Sequence, residues 1–236
     1  MGLFSRSKSI GESGLLNGAT DNHCHILYGV DDGVRSPDES LSILDWYEKQ
    51  GLKELWFTPH VMDDVPNTTE GLKTRFNELC DIYKGGLKFH LAAEYMLDNV
   101  FEERLAARDF LFHGEDRVLV ETSTVFPPVD LWDMLRRMMS AGYRPLLAHP
   151  ERYRYMEWRD YERLREMGVQ MQLNIPSIVG VYGETTKRKA IDLLKAGMYC
   201  MAGSDCHRFR ALRFQSEARE LKKDTVKMLE PLMKTV

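Results

Sequence analysis

His23 and His25 are separated by one residue in Asp21-Asn22-His23-Cys24-His25, and Asp31-Asp32-Gly33 follows shortly after. In a strand, side chains at i and i+2 share a face, so both imidazoles can address one metal ion. An isolated H-x-H pair is equally compatible with two surface histidines on an edge strand. The rest of the chain argues otherwise, because imidazole and acidic groups recur where apolar runs end. His60 follows Leu55–Pro59, Glu94 follows Phe89–Ala93, Glu121 follows Val118–Val120 and His149 follows Pro145–Ala148. Asn174 ends a sixth run, and Asp205 and His207 end a seventh. Singly, each has a plain explanation: Glu94 or Glu121 could cap the following helix, and Asp205 could be an N-cap. Gathered in one mouth, so many ionisable groups would be costly to bury unless metal ions compensate. His90 and His113 fall outside the pattern and read as structural. Arg152, three residues after His149, could take a phosphate through its planar fork.

Such convergence needs a scaffold that delivers strand ends to one place. Strand-like runs lie near 20–25, 54–58, 87–93, 117–120, 144–148, 169–173 and 198–202. Helical stretches alternate with them. One opens at Pro37 with Ser36 as cap and closes at Gly51; another runs from Thr68 to Gly85-Gly86. Others cover about 98–107, 129–141, 160–167 and 185–196, and a charged helix is predicted over 208–234. Strand–helix alternation predicts a parallel sheet with right-handed crossovers. Reactive groups at run ends favour an α/β fold closed as a TIM-like barrel with seven strands over an open doubly wound sheet. Residues 1–18 read as a mobile or loosely docked arm, and 19–236 as one domain.

A chain of 236 residues suffices for one such core. Hydrophobic residues at 43% and charged ones at 29% describe a soluble globular composition. A net charge of −4 offers no footprint for nucleic acid. No run approaches the roughly 20 apolar residues of a membrane span. The first residues match neither a signal peptide nor a myristoylation site, since Arg6 stands where Ser or Thr is needed. Four scattered cysteines, Cys24 and Cys206 inside the candidate metal motifs, point to a reducing, cytoplasmic setting.

Six motifs now stand in order: D-N-H-C-H-I-L-Y-G-V-D-D-G at 21–33, T-P-H at 58–60, A-A-E at 92–94, V-E-T-S at 120–123, A-H-P-E-R-Y at 148–153 and G-S-D-C-H at 203–207. Together they resemble the polymerase-and-histidinol-phosphatase (PHP) family, and within it the bacterial capsule and exopolysaccharide protein-tyrosine phosphatases. The resemblance implies a distorted (β/α)7 barrel holding three divalent ions (Mn, Fe or Zn, with Mn favoured). It implies one ion on His23, His25, Glu94 and Asp205, a second on Glu94, Glu121 and His149, and a third on Asp32, His60 and His207. Arg152 matches the family's phosphate-contacting arginine. The second family arginine falls by count at Leu212, which leaves Arg210 or Arg213 to serve. The implied reaction is phosphotyrosine hydrolysis by a hydroxide activated through coordination. The implied partner is a phosphotyrosine-bearing protein, a bacterial tyrosine kinase of polysaccharide export. A cysteine-based phosphatase is excluded because no C-x5-R loop is present. One rival is another hydrolase on this scaffold, either a small-molecule phosphatase of the histidinol-phosphatase kind or an amidohydrolase. Amidohydrolases usually carry Lys at strand four and His at strand six, where this chain has Glu121 and Asn174. The other rival is a non-catalytic metal-binding module, yet no ligand position is lost here.

Overall fold

A computed structural model of the protein describes residues 7–234. A one-turn helix α1 (Ile10–Ser13) precedes strand β1 (Thr20–Cys24). Helix α2 (Pro37–Lys49) leads to β2 (Glu54–Phe57) and the two-residue β3 (His60–Val61). Helix α3 (Thr69–Ile82) leads to β4 (Lys88–Leu91) and β5 (Glu94–Met96). The order continues with α4 (Asn99–Ala107), β6 (Arg117–Glu121), α5 (Leu131–Ser140), β7 (Arg144–Ala148) and a 3-10 turn (Pro150–Arg152). Then come α6 (Trp158–Glu166), β8 (Gln170–Asn174), α7 (Ile175–Ile178), α8 (Glu184–Lys195), β9 (Met201–Gly203), α9 (Phe209–Glu217) and α10 (Lys223–Leu232).

Helices α2, α3 and α4 begin where their sequences supply caps. Ser36 accepts from the Glu39 N–H at 3.3 Å with Pro37 in the first turn, Thr68 accepts from Gly71 at 3.1 Å, and Asp98 accepts from Phe101 at 3.0 Å.

Every strand pairing is parallel. The strands form one sheet in the order β1-β2-β4 and another in the order β3-β5-β6-β7-β8-β9. The result is a mixed α/β fold whose parallel sheet curls as a half-barrel. The second and third predicted runs are each broken in two, at Thr58-Pro59 and at Ala92-Ala93. Hydrogen bonds still cross those breaks, from Ala92 N to Phe57 O (2.9 Å) and from Glu94 N to Pro59 O (3.0 Å). An isolated parallel bridge joins Cys24 to Cys206. It brings the first strand beside the segment that follows the last.

Alternation along the strands sorts side chains into two cores. Val118, Val120 and Leu147 belong to the large cluster packed with the helices. Leu119, Leu146, Ala148 and Met201 form a small separate cluster on the opposite face. Leu119 shares that face with Glu121, so the small cluster lies on the site's side of the sheet.

Three expectations are corrected. The predicted C-terminal helix is two, α9 and α10, with a break at 218–222. The short α7 directly after β8 is unanticipated. Residues 8–16, expected as part of a loosely docked arm, are seated: Lys8 bridges Leu221, and Ile10, Leu15 and Leu16 are buried. Residues 1–6 of that arm lie outside the described residues.

Candidate metal centre

His23, in β1, lies on the face that His25, just beyond the strand, also occupies. Their Nε2 atoms lie 3.0 Å apart. Each ring's other nitrogen already faces an acceptor. His23 Nδ1 meets Gln172 Oε1 at 2.6 Å, and the Gln172 amide is oriented because its Nε2 donates to Asn22 O at 3.1 Å. His25 Nδ1 meets Asp31 Oδ2 at 2.8 Å. When both Nδ1 atoms carry the proton, two bare Nε2 lone pairs face each other. Glu94 Oε2 sits 3.3 Å from both, and Asp205 Oδ1 lies 3.6 Å and 3.4 Å away. Four electron-rich atoms converging out of water require a positive charge among them.

The cluster extends from there. His60 Nδ1 is 3.2 Å from Glu94 Oε2 and 3.2 Å from Glu121 Oε1. His149 Nε2 is 3.0 Å from Glu94 Oε1 and 3.6 Å from Glu121 Oε2. Asp32 Oδ1 lies 3.5 Å from His60 Nε2 and 3.4 Å from His207 Nε2. Three overlapping groups therefore offer ligand atoms within 4.8 Å of one another: His23, His25 and Glu94; His60, Glu94 and Glu121; His25, Asp32, His60 and His207. Glu94 Oε2 and His60 Nδ1 are buried without a hydrogen-bond partner, as donor atoms held for a cation would be. The mixed imidazole and carboxylate set suits divalent transition ions.

Charge follows the same logic. Burial opposes a charge on His23, yet Glu94 and Asp205 outweigh it and raise its pKa to about 9. Burial likewise opposes charge on His60, which Glu121 and Glu94 carry up to about 10. Burial would raise Asp205, but the surrounding imidazoles hold it at about 2. Without metal, the cluster grips protons in place of cations.

Backbone and packing hold these groups with little freedom. His149 (φ 36°) and Asp205 (φ 51°) adopt left-handed conformations that non-glycine residues seldom take. A Cβ on Gly203 would overlap the Cβ of His23, and one on Gly33 would collide with the carbonyl of His25. Asp21 ties β1 to the segment after β9 and to α2, accepting from Ser204 N and Tyr47 Oη at 2.8 Å each.

The cluster opens into a cavity of about 460 Å³ rimmed by Arg152, Tyr182 and Arg208. Arg152 Nη1 donates to Asp205 Oδ2 at 2.8 Å, and its guanidinium lies 4.5 Å over the Tyr182 ring. Asn174 Nδ2 donates to the same carboxylate oxygen at 2.8 Å. Arg152 thus pairs with neither Glu151 nor Glu157.

Arg210 and Arg213 are corrected. They line a separate groove with Glu39 and Phe214, and Arg213 pairs with Glu217 at 3.5 Å. The arginine that reaches the mouth is Arg208, whose guanidinium donates to the carbonyls of Gly33 and His207. Sequence reasoning also missed Asp31, Gln172 and Tyr182. Asp31 stood in the noted D-D-G triplet, and Gln172 shares a strand face with Asn174. Nothing in the sequence singled out Tyr182. His90 stacks on Trp56 and meets Glu54 at 2.9 Å, while His113 stacks on the other side and meets Asn22 O at 3.0 Å, both in structural roles.

A family model described as capsular polysaccharide synthesis, CpsB/CapC, matches residues 19–229. The tyrosine-protein phosphatase YwqE of Bacillus subtilis is 25% identical over 206 residues, covering 84% of this chain and 80% of its own length. The tyrosine-protein phosphatase CpsB of Streptococcus pneumoniae is 28% identical over 202 residues, covering 79% of this chain and 82% of its own. The solved structures described as YwqE and CpsB, unique metal-dependent tyrosine phosphatases, give a TM-score of 0.73 at 24% identity over 92% of this chain and 96% of that one, a likeness of fold.

Proposed function

The chain belongs to the CpsB/CapC family of capsular polysaccharide synthesis proteins, and from that premise we propose that it is a metal-dependent protein-tyrosine phosphatase. One observation carries the reading: the His23 and His25 Nε2 atoms converge with Glu94 and Asp205 beside an arginine that faces the same cavity.

In this reading His23, His25, Glu94 and Asp205 hold one ion, Glu94, Glu121 and His149 a second, and Asp32, His60 and His207 a third. Bound divalent ions supply Lewis-acid charge to phosphoryl oxygens and bring the ionisation of a water into the neutral range. The residues do the positioning. Asp31 and Gln172 fix the tautomers of His25 and His23, so their Nε2 atoms stay available. Arg152 spends one donor on Asp205 and keeps others for a phosphoryl group, with Tyr182 holding its plane. Arg208, tied to two carbonyls, braces the loop that carries His207. The leaving phenol has a pKa of about 10, so no dedicated general acid is needed.

The finer features of the reading are three ions, with manganese favoured over iron or zinc, and one distorted (β/α)7 barrel within a single domain spanning 19–236. The Cys24–Cys206 bridge and the hydrogen bonds across the strand breaks support the barrel. Four unpaired cysteines support a reducing, cytoplasmic compartment, and among the described residues no helix is long and apolar enough to cross a membrane. The substrate in this reading is a phosphotyrosine-bearing tyrosine kinase of polysaccharide export. Elemental analysis of gently purified protein should find more than one equivalent of divalent metal. Hydrolysis of p-nitrophenyl phosphate and phosphotyrosyl peptides should vanish on chelation and return on reloading. Full activity in metal-free protein would overturn the reading.

A further inference from the structure

A second cavity of about 460 Å³ adjoins the metal mouth and shares two of its walls, Arg152 and Tyr182. It continues to Arg154, Glu184, Thr185 and Lys189. A phosphotyrosine side chain whose phosphate reaches the metals would occupy the first cavity and leave the second unused. In a protein substrate, the residues flanking that tyrosine must go somewhere, and the shared wall places this space next to them.

The charges lining it are mostly spoken for. Arg152 is paired with Asp205. The Lys189 ammonium donates to the carbonyls of Tyr153 and Met156 at 2.8 Å each. Glu151 is buried and engaged by Asn174 N and Tyr199 Oη. Glu184 lies 3.9 Å from Lys187. Arg154 is the exception. Its backbone N–H is anchored to Thr124 O at 2.9 Å, while its guanidinium has no ion pair or hydrogen bond among the described residues. Next to it, Tyr182 is 38% exposed in a turn flanked by Gly180 and Gly183, both left-handed. That turn lets an aromatic ring stand in solvent between the two cavities.

We propose that the second cavity is a substrate-flanking subsite, which takes the polypeptide next to the phosphotyrosine and reads an acidic side chain there through Arg154. The inference rests on the phosphotyrosine reading above. Phosphate is drawn to the metals, Tyr182 separates the two spaces, and the unpaired guanidinium selects the neighbour. An exposed or half-exposed ion pair is weak, so the selection is modest, about threefold in kcat/KM, or about 0.65 kcal/mol.

The test uses metal-loaded full-length protein and phosphotyrosyl peptides carrying Glu or Gln at each flanking position in turn. In the wild type, Glu should exceed Gln about threefold at one position or more. That ratio should fall to about one in Arg154→Ala and invert in Arg154→Glu, while hydrolysis of free phosphotyrosine changes less than about twofold. Equal Glu-to-Gln ratios in wild type and Arg154→Ala at every position would overturn the subsite alone. A wild type inactive on all peptides and on free phosphotyrosine would instead overturn the phosphatase reading, and the subsite with it.

Discussion

Arg152 is held by Asp205 and Tyr182 before any substrate arrives, so its orientation is already set. Arg152→Ala should cost roughly 2–4 kcal/mol of transition-state stabilisation, or about 30- to 1000-fold in kcat/KM on phosphotyrosine. Arg152→Lys should restore little, since a point charge does not reproduce the planar fork. A loss within a few-fold at constant metal content would remove Arg152 from the chemistry. Asp31 works at one remove, through His25. Asp31→Asn should weaken metal binding about 10- to 100-fold in a chelator competition while circular dichroism stays unchanged; unchanged affinity would count against the tautomer argument. The difference between these residues also explains what could be foreseen. His60, Glu94, Glu121 and His149 were readable because each directly follows an apolar run. Arg208 was not singled out, because the family's spacing counts to Leu212, whereas Arg208 stands at the N-cap position of α9 and its side chain turns back to Gly33. Asp31 and Asp32 are neighbours of one type, and only the loop's path decides that the first is buried on His25 and the second exposed near His207.

The strands position the ligands through close backbone contact as much as through their own hydrogen bonds. Gly203 lets β9 approach His23, and Gly203→Ala should destabilise the protein by about 1–3 kcal/mol and lower metal occupancy together. Ser36→Ala should cost about 1 kcal/mol at the α2 cap with metal content unchanged. Thermal melts paired with elemental analysis separate the two outcomes, and a Gly203→Ala protein with wild-type metal content would refute the contact argument. Caps such as Ser36, Thr68 and Asp98 made helix starts readable, because a short polar side chain before an amphipathic run has one evident use. The interruptions at Thr58-Pro59 and Ala92-Ala93 were hidden within apolar runs. So was α7, since Ile175-Pro176-Ser177-Ile178 reads as the tail of β8 rather than as a turn of helix.

Across the whole molecule the imidazole–carboxylate cluster makes stability depend on pH in a predictable direction. His23 and His60 are raised from 6.5 to about 9 and about 10. Their contribution is fully present below pH 6.5 and is lost as pH climbs through those values. Asp205 is depressed from 3.8 to about 2, so its contribution is present above pH 3.8 and is lost as pH falls through about 2. Chelator-treated protein should therefore melt at its highest temperature between these limits and weaken steadily above pH 6.5. Metal-loaded protein should hold its melting temperature further into the alkaline range, because metal displaces those protons. Superimposable pH profiles for the two forms would contradict this account. The Cys24–Cys206 bridge has a consequence of another kind, in time. The cluster's first donors leave the ribosome with His23 and its last with His207, and ribosomes add about 5–20 residues per second. The nascent chain therefore carries orphaned ligands for on the order of ten seconds or more, and no fragment ending short of His207 can close the site. Activity is in this sense a report that translation has passed His207.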